Sequence, residues 1–246
     1  MSFFENTRKP VGLGGKIMVA MMNLGHSPVA RWGLRFLKLT PDAKVLDCGC
    51  GGGANIKRLL KKCPEGIVKG IDYSPVSVEK SKKVNEAAIA EGRCTVLQGS
   101  VADMIFAGDW FDAVTAFETV YFWPDLPQCF REVYRVLKPG GTLLICNESN
   151  GDTDKDKKWT EIIGGMTIYK DAELKTYLEQ AGLGRLRMLS HDQAGKAVHR
   201  DRFIIRLVVG GRKNATMPVL LFNFLSQCIL RQGERLFRAG ELVYAA

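Results

Sequence analysis

Asp47, Gly49, Gly51 and Gly53 stand at alternate positions in the string Val45-Leu46-Asp47-Cys48-Gly49-Cys50-Gly51-Gly52-Gly53-Ala54. An apolar strand here ends in an acid and opens into a turn. Its glycines lack a Cβ, so the backbone takes positive φ and a ligand approaches the main chain closely. The amphipathic stretch 55–62 predicts a helix whose free N–H groups point back into the turn and receive the polar end of a ligand. The pattern predicts a nucleoside-containing ligand, and two classes use it. Residues 49–54 satisfy the G-x-G-x-x-G/A spacing that holds a dinucleotide pyrophosphate. A carboxylate at Asp47 repels phosphate, however, and suits a cationic or hydroxyl-rich ligand better. A nicotinamide dinucleotide stays open as the alternative.

About 20 residues past the glycine loop, the run 66–72 ends in a second acid, Asp72. A carboxylate at that strand end accepts hydrogen bonds from both hydroxyls of a ribose, a role common to either ligand class. These acids need a sheet to position them, and the rest of the chain supplies one. Strands are expected at 66–72, 94–98, 111–117, 142–147, 186–190 and 202–209 in addition to the one before the glycines. Helices are expected at 55–62, from Ser74-Pro75 to about residue 90, at 125–137 and at 171–181. Strand and helix alternate as in a doubly wound α/β sheet, with the last two strands as an antiparallel pair at its edge. Residues 151–158 are polar and charged and are expected to be exposed.

Composition narrows the function classes. A chain of 246 residues, 46% hydrophobic and 25% charged, fits a soluble globular protein with one large α/β domain. No apolar run reaches the ~20 residues of a membrane span and residues 1–10 carry no signal-peptide core, so the expected location is cytoplasmic. The net charge of +9 is spread along the chain rather than gathered on one face, which argues against a nucleic-acid partner. Lys57, Arg58, Lys61 and Lys62 fall on the solvent side of the first sheet helix. The seven cysteines show no C-x-x-C pair and are expected as buried free thiols. His26, His191 and His199 lack ligand spacing, and no metal is expected.

Motif by motif, residues 45–149 resemble the class I S-adenosylmethionine-dependent methyltransferases. The acid and alternating glycines match their first motif, Asp72 their ribose-holding acid, and Leu137-Lys138-Pro139-Gly140-Gly141-Thr142-Leu143 a hallmark turn. The likeness is greatest to the ubiquinone/menaquinone methyltransferase-like group, called type 11. It implies a Rossmann-like, mostly parallel seven-stranded sheet with an antiparallel edge strand. It also implies S-adenosylmethionine as cofactor and methyl transfer to a small-molecule acceptor. In such enzymes Tyr73 flanks the adenine. Where the family usually reads Gly-Asp-Ala, this chain has Gly99-Ser100-Val101, which leaves Ser100 one hydrogen bond and Val101 a backbone N–H toward the adenine. The stretch Phe117-Glu118-Thr119-Val120-Tyr121-Phe122-Trp123-Pro124 falls beside the methionine part and the methyl acceptor. It lacks the Asp/Asn-Pro-Pro-Tyr/Phe string of enzymes that methylate base amino groups.

The cofactor set implied is therefore Asp47, Gly49, Gly51, Gly53, Asp72, Tyr73, Ser100, Val101 and Phe117. Where the acceptor carries a proton, the candidate bases are Glu118, Tyr121 and His26, with Glu118 first because it follows a strand carboxyl end. Residues 1–40 are expected as a helical lid, with Met18, Met21 and Met22 in an adaptable apolar wall. Residues 41–213 form the cofactor domain, and 159–169 are expected to contact substrate. Residues 214–246, with the apolar run 219–230, are expected as a helical extension that packs on its own domain, forms a dimer interface or walls the substrate pocket, with attachment to an anionic membrane surface as a further option. A non-catalytic protein that only binds S-adenosylmethionine is the remaining alternative.

Overall fold

The computed structural model describes residues 7–8, 10–151, 154–183, 186–190 and 203–209. The expected extension 214–246, Cys228, His191 and His199 lie outside the described residues.

Two helices, α1 (Gly12–Gly25) and α2 (Ser27–Gly33), precede the sheet. Then β1 (Lys44–Cys48), α3 (Ala54–Lys62), β2 (Ile67–Asp72), α4 (Pro75–Val84), α5 (Glu86–Ala90) and β3 (Cys94–Gln98) build one half. The other half comprises β4 (Phe111–Phe117), α6 (Leu126–Val136), β5 (Leu137–Asn147), α7 (Asp154–Ile162), α8 (Asp171–Gln180), β6 (Leu186–Ser190) and β7 (Phe203–Val208). The sheet has seven strands in the order β3-β2-β1-β4-β5-β7-β6. Strands β1 to β5 pair in parallel, and β7 pairs antiparallel with both β5 and β6. The expected antiparallel pair does close the edge, with the reversed strand β7 lying just inside β6.

Strand periodicity divides the core into two layers. Leu46, Val114 and Leu143 join Phe130, Val133 and Leu174 on one face, while their neighbours Val45, Ala113 and Leu144 join Ile56, Leu59 and Trp32 on the other. Successive residues of a strand point to opposite faces, so parallel strands covered on both sides must be apolar at every position. Chain order reverses between β1 and β4, which places a crevice at their carboxyl ends.

Three local structures depart from the sequence expectation. The helix expected from Ser74 breaks at Asn85, whose Nδ2 donates to Gly53 O at 3.1 Å and Ser81 O at 2.9 Å. That side chain satisfies buried carbonyls at the cost of helix continuity, giving α4 and α5. The Pro139-Gly140-Gly141 turn lies inside a continuous β5. Register jumps there from Phe111↔Leu137 to Ala113↔Thr142, and Gly140 N donates to Val209 O at 2.9 Å. The polar stretch 151–158 is not uniformly exposed either. It contains the start of α7, and Asp156 is buried because its Oδ2 accepts from Gly151 N at 3.0 Å.

Gly53 turns the glycine loop into α3 at φ +78°, and a Cβ there would lie 2.6 Å from Asn85 Nδ2 and 2.8 Å from Ser81 Cα. Backbone strain and overpacking then add. Gly53→Ala is expected to lower the unfolding free energy by about 2–4 kcal/mol in urea titrations, and an unchanged midpoint would refute this packing role.

Candidate active site

The carboxyl ends of β1, β2 and β4 open into one cavity. Gly49, Gly51, Gly52, Asp72, Tyr73, Phe117, Glu118 and Thr119 line it from the sheet side, and Arg8, Pro10, Met22, Asn23 and His26 from the N-terminal segment. Gly49 N and Cys50 N both donate to Ile71 O, at 2.8 and 3.1 Å, so the loop crosses over the end of β2. Gly51 N donates to Asp72 Oδ2 at 2.9 Å, and Ser74 N donates to Asp72 Oδ1 at 2.9 Å. Asp72 is 8% exposed. Burial raises its carboxyl above the ordinary range, opposed by those two N–H donors. Each carboxylate oxygen keeps acceptor capacity for a ligand hydroxyl.

The glycines divide the work of the loop. At Gly49 a Cβ would collide with the Thr119 side chain, and at Gly52 with Asn23 and Val19 of α1. Gly51 differs. Its φ is +50° and the space a Cβ would take is open, so its backbone borders the cavity directly. Gly53 packs against α4 instead and does not line the cavity.

Asp47 is also absent from the lining. It is 1% exposed, and its Oδ1 accepts from Thr115 Oγ1 at 2.7 Å. Its Oδ2 has no hydrogen-bond partner among the described residues. Burial pushes this carboxyl up to about 7, opposed by the Thr115 bond. Ser100 and Val101 likewise stand away from the lining. Ser100 Oγ accepts from Ala102 N at 3.2 Å, and Val101 is buried in the core layer beneath α6. Tyr73 does line the cavity, and its hydroxyl donates to Arg8 O across the N-terminal segment. Burial raises the Tyr73 phenol to about 12.

A second cavity of about 290 Å³ adjoins the first and shares Thr7, Met22, His26, Glu118 and Phe122 with it. Met18, Met21, Tyr121, Trp159, Ile163 and Met166 make its other walls largely apolar. Both the methionines of α1 and the 159–169 segment therefore meet where a substrate-facing role was expected of them. Tyr121 is locked in that wall. Its hydroxyl accepts from Ser149 N at 2.9 Å and donates to Ser149 O at 3.3 Å, and burial raises the phenol well above its ordinary value.

Glu118 follows β4 at φ +56°, with its N–H donating to Cys146 O at 3.0 Å on β5. Glu148 directly follows Asn147, the last residue of β5. Donor atoms of His26, Glu118 and Glu148 all lie within 4.8 Å of one another. No motif or spacing marks Glu148 in the chain. Only the pairing of Phe117 with Cys146 aligns the two strand ends that carry the glutamates. Asn23 and Arg58 were also missed. Asn23 Nδ2 donates to Gly52 O at 3.2 Å, and the Arg58 guanidinium, expected on the solvent side of α3, donates to Asn55 Oδ1 and Ser27 Oγ, both at 2.7 Å, at the cavity rim.

Residues 46–145 match a family model described as a methyltransferase domain. The chain is 35% identical over 109 residues to cycloartenol-C-24-methyltransferase 1 of Oryza sativa subsp. japonica, covering 44% of this chain and 31% of that protein. It is 32% identical over 116 residues to the ubiquinone/menaquinone biosynthesis C-methyltransferase of Geotalea daltonii, covering 47% and 49%. These alignments thus span 31% to 49% of the relatives' own length. In fold, the chain is similar to a SAM-dependent methyltransferase from Aquifex aeolicus, with a TM-score of 0.64, 18% identity, and 79% and 98% of the two chains covered.

The buried Asp47 carboxyl has a consequence for stability. Its folded value of about 7 lies above the ordinary value of 3.8. The protonated side chain is the one the fold favours, so its contribution is complete below about pH 4 and is lost as pH rises through 7. Asp47→Asn keeps an acceptor for Thr115 and removes the charge. In the ligand-free protein it is expected to gain up to about 4 kcal/mol over wild type at pH 8.5. At pH 5 the gain is expected to shrink to less than half, about 1.7 kcal/mol, in denaturant melts, and a gain independent of pH would contradict this account.

Proposed function

We propose that this protein, whose residues 46–145 match the methyltransferase-domain model, transfers a methyl group from S-adenosylmethionine to an apolar small-molecule acceptor. The observation that carries the proposal is the pair of adjoining cavities, the more polar one built on the glycine loop, the other largely apolar, with His26 and Glu118 in their common wall. The relatives' names, a cycloartenol and a ubiquinone/menaquinone C-methyltransferase, support an acceptor of polycyclic or quinone type.

The residues of the first cavity fit the cofactor. Gly51 leaves its backbone uncovered, Asp72 retains acceptor capacity for a ribose diol, and Tyr73 and Phe117 offer ring faces beside it. The chemistry supplied by bound S-adenosylmethionine is a methyl group already activated on a sulfonium. What remains for the chain is to hold the acceptor in line and keep water out, effects worth roughly 7–11 kcal/mol at best. The methionines of α1 with Trp159, Ile163 and Met166 do this by enclosing an apolar body, for which thioether chains adapt readily. Glu118 and His26 face the junction, where an acceptor proton has to go. Tyr121, held by Ser149, keeps its proton and acts as wall. The described N-terminal residues serve as a cover, since α1 packs against Gly52 and lines both cavities.

Calorimetry is expected to give binding of S-adenosylhomocysteine and none of NADH. Asp72→Ala should weaken that binding by about 1.5–3 kcal/mol, and Gly51→Val should weaken it by placing a side chain in the open space. Unchanged affinity in folded Gly51→Val would overturn the site. Deleting residues 1–24 is expected to preserve the sheet's circular dichroism while speeding S-adenosylhomocysteine release and abolishing transfer to quinol or sterol acceptors. Transfer at the full rate by the truncated protein would exclude the cover.

A further inference from the structure

We propose that His26, Glu118 and Glu148 form a binding site for one divalent first-row metal ion, such as Mn²⁺, Fe²⁺ or Zn²⁺, at the junction of the two cavities. The three donors come from separate elements, the C-terminal end of α1 and the ends of the paired strands β4 and β5. The fold nevertheless brings their ligand atoms within 4.8 Å of one another. Ligands about 2.0–2.2 Å from a shared ion stand roughly 3–4 Å apart, so a small inward movement of flexible glutamate chains completes the set.

The chemistry of the donors suits such an ion. One imidazole nitrogen and two carboxyl groups, harder than a thiolate set and softer than an all-oxygen one, are ligands that divalent first-row metals take.

The position gives the ion work to do. His26 and Glu118 line both cavities, so coordination positions not filled by the protein face the space between them. An acceptor oxygen, as in a phenol or enol, would coordinate there and release its proton to solvent, since a bound divalent cation lowers the pKa of an oxygen ligand. Glu118 and His26 then act on the acceptor through the ion rather than by taking its proton directly. This use of the ion rests on the methyl-transfer proposal, whereas the site itself rests on the three side chains.

The experiment is titration of chelator-stripped full-length protein with Mn²⁺, followed by calorimetry and electron paramagnetic resonance, in parallel with S-adenosylhomocysteine binding by the same stripped protein. The expected result is one Mn²⁺ per chain with nitrogen hyperfine coupling from an imidazole. That coupling should vanish in His26→Gln, and affinity should fall by roughly tenfold or more in Glu148→Gln. Absence of Mn²⁺ binding by the wild type, or binding that both variants retain with the nitrogen coupling intact, overturns the metal site. If S-adenosylhomocysteine still binds in either case, the methyl-transfer proposal stands apart from that failure. Mn²⁺ binding without S-adenosylhomocysteine binding would instead support the metal site and undermine the cofactor assignment.

Discussion

The carboxylate of Asp72, accepting from Gly51 N and Ser74 N, is the tie on which the site depends. It fastens the glycine loop after β1 to the start of α4 after β2, so two crossovers that share no other covalent neighbour are held as one surface. Burying an acid is costly, and charge-assisted hydrogen bonds from two backbone donors offset that cost. The same tie leaves Gly51 bordering open space and keeps Asp72 on the cavity wall, and the bonds from Gly49 N and Cys50 N to Ile71 O brace the loop beside it.

The N-terminal helices depend on that orientation in turn. Gly52 has no side chain, and the room is taken by Asn23 and Val19, which brings α1 against the loop. From there α1 delivers methionines to the apolar cavity and His26 to the junction. Pro10 is anchored to the same region, since its carbonyl accepts from Ser74 Oγ at 3.0 Å. The chain thus covers its own crevice with a segment that the sheet does not require for pairing.

Electrostatics set the junction apart from the rest of the molecule. A chain with net charge +9 gathers Asp47, Asp72, Glu118 and Glu148 around the carboxyl ends of four neighbouring strands. Asp47 and Asp72 are largely removed from water, and burial favours their neutral forms. The site therefore offers carboxyl oxygens inside a positive protein, a setting suited to cationic and hydroxyl-bearing ligands.

Much of this was legible in the sequence because it is local. Apolar runs bounded by glycine, proline and acids mark β1 to β5, and the fall of Asp47, the three alternating glycines and Asp72 at strand ends follows from chain position alone. Side-chain competition at Asn85 and burial of Asp156 were not legible, since both answer to partners whose placement depends on the folded chain. Asp47, Ser100 and Val101 make the same point from the other direction: the sequence put them at strand ends, but packing left them off the cavity wall. Glu148 is the clearest case. Nothing in its neighbours marks it, and it meets Glu118 and His26 only because β4 and β5 pair in parallel with Phe117 opposite Cys146 while α1 folds back over the loop. The sequence determined which residues end strands and which backbone turns admit a ligand; the tertiary structure decided which of those ends share a wall, because register and helix packing are sums over contacts far apart in the chain.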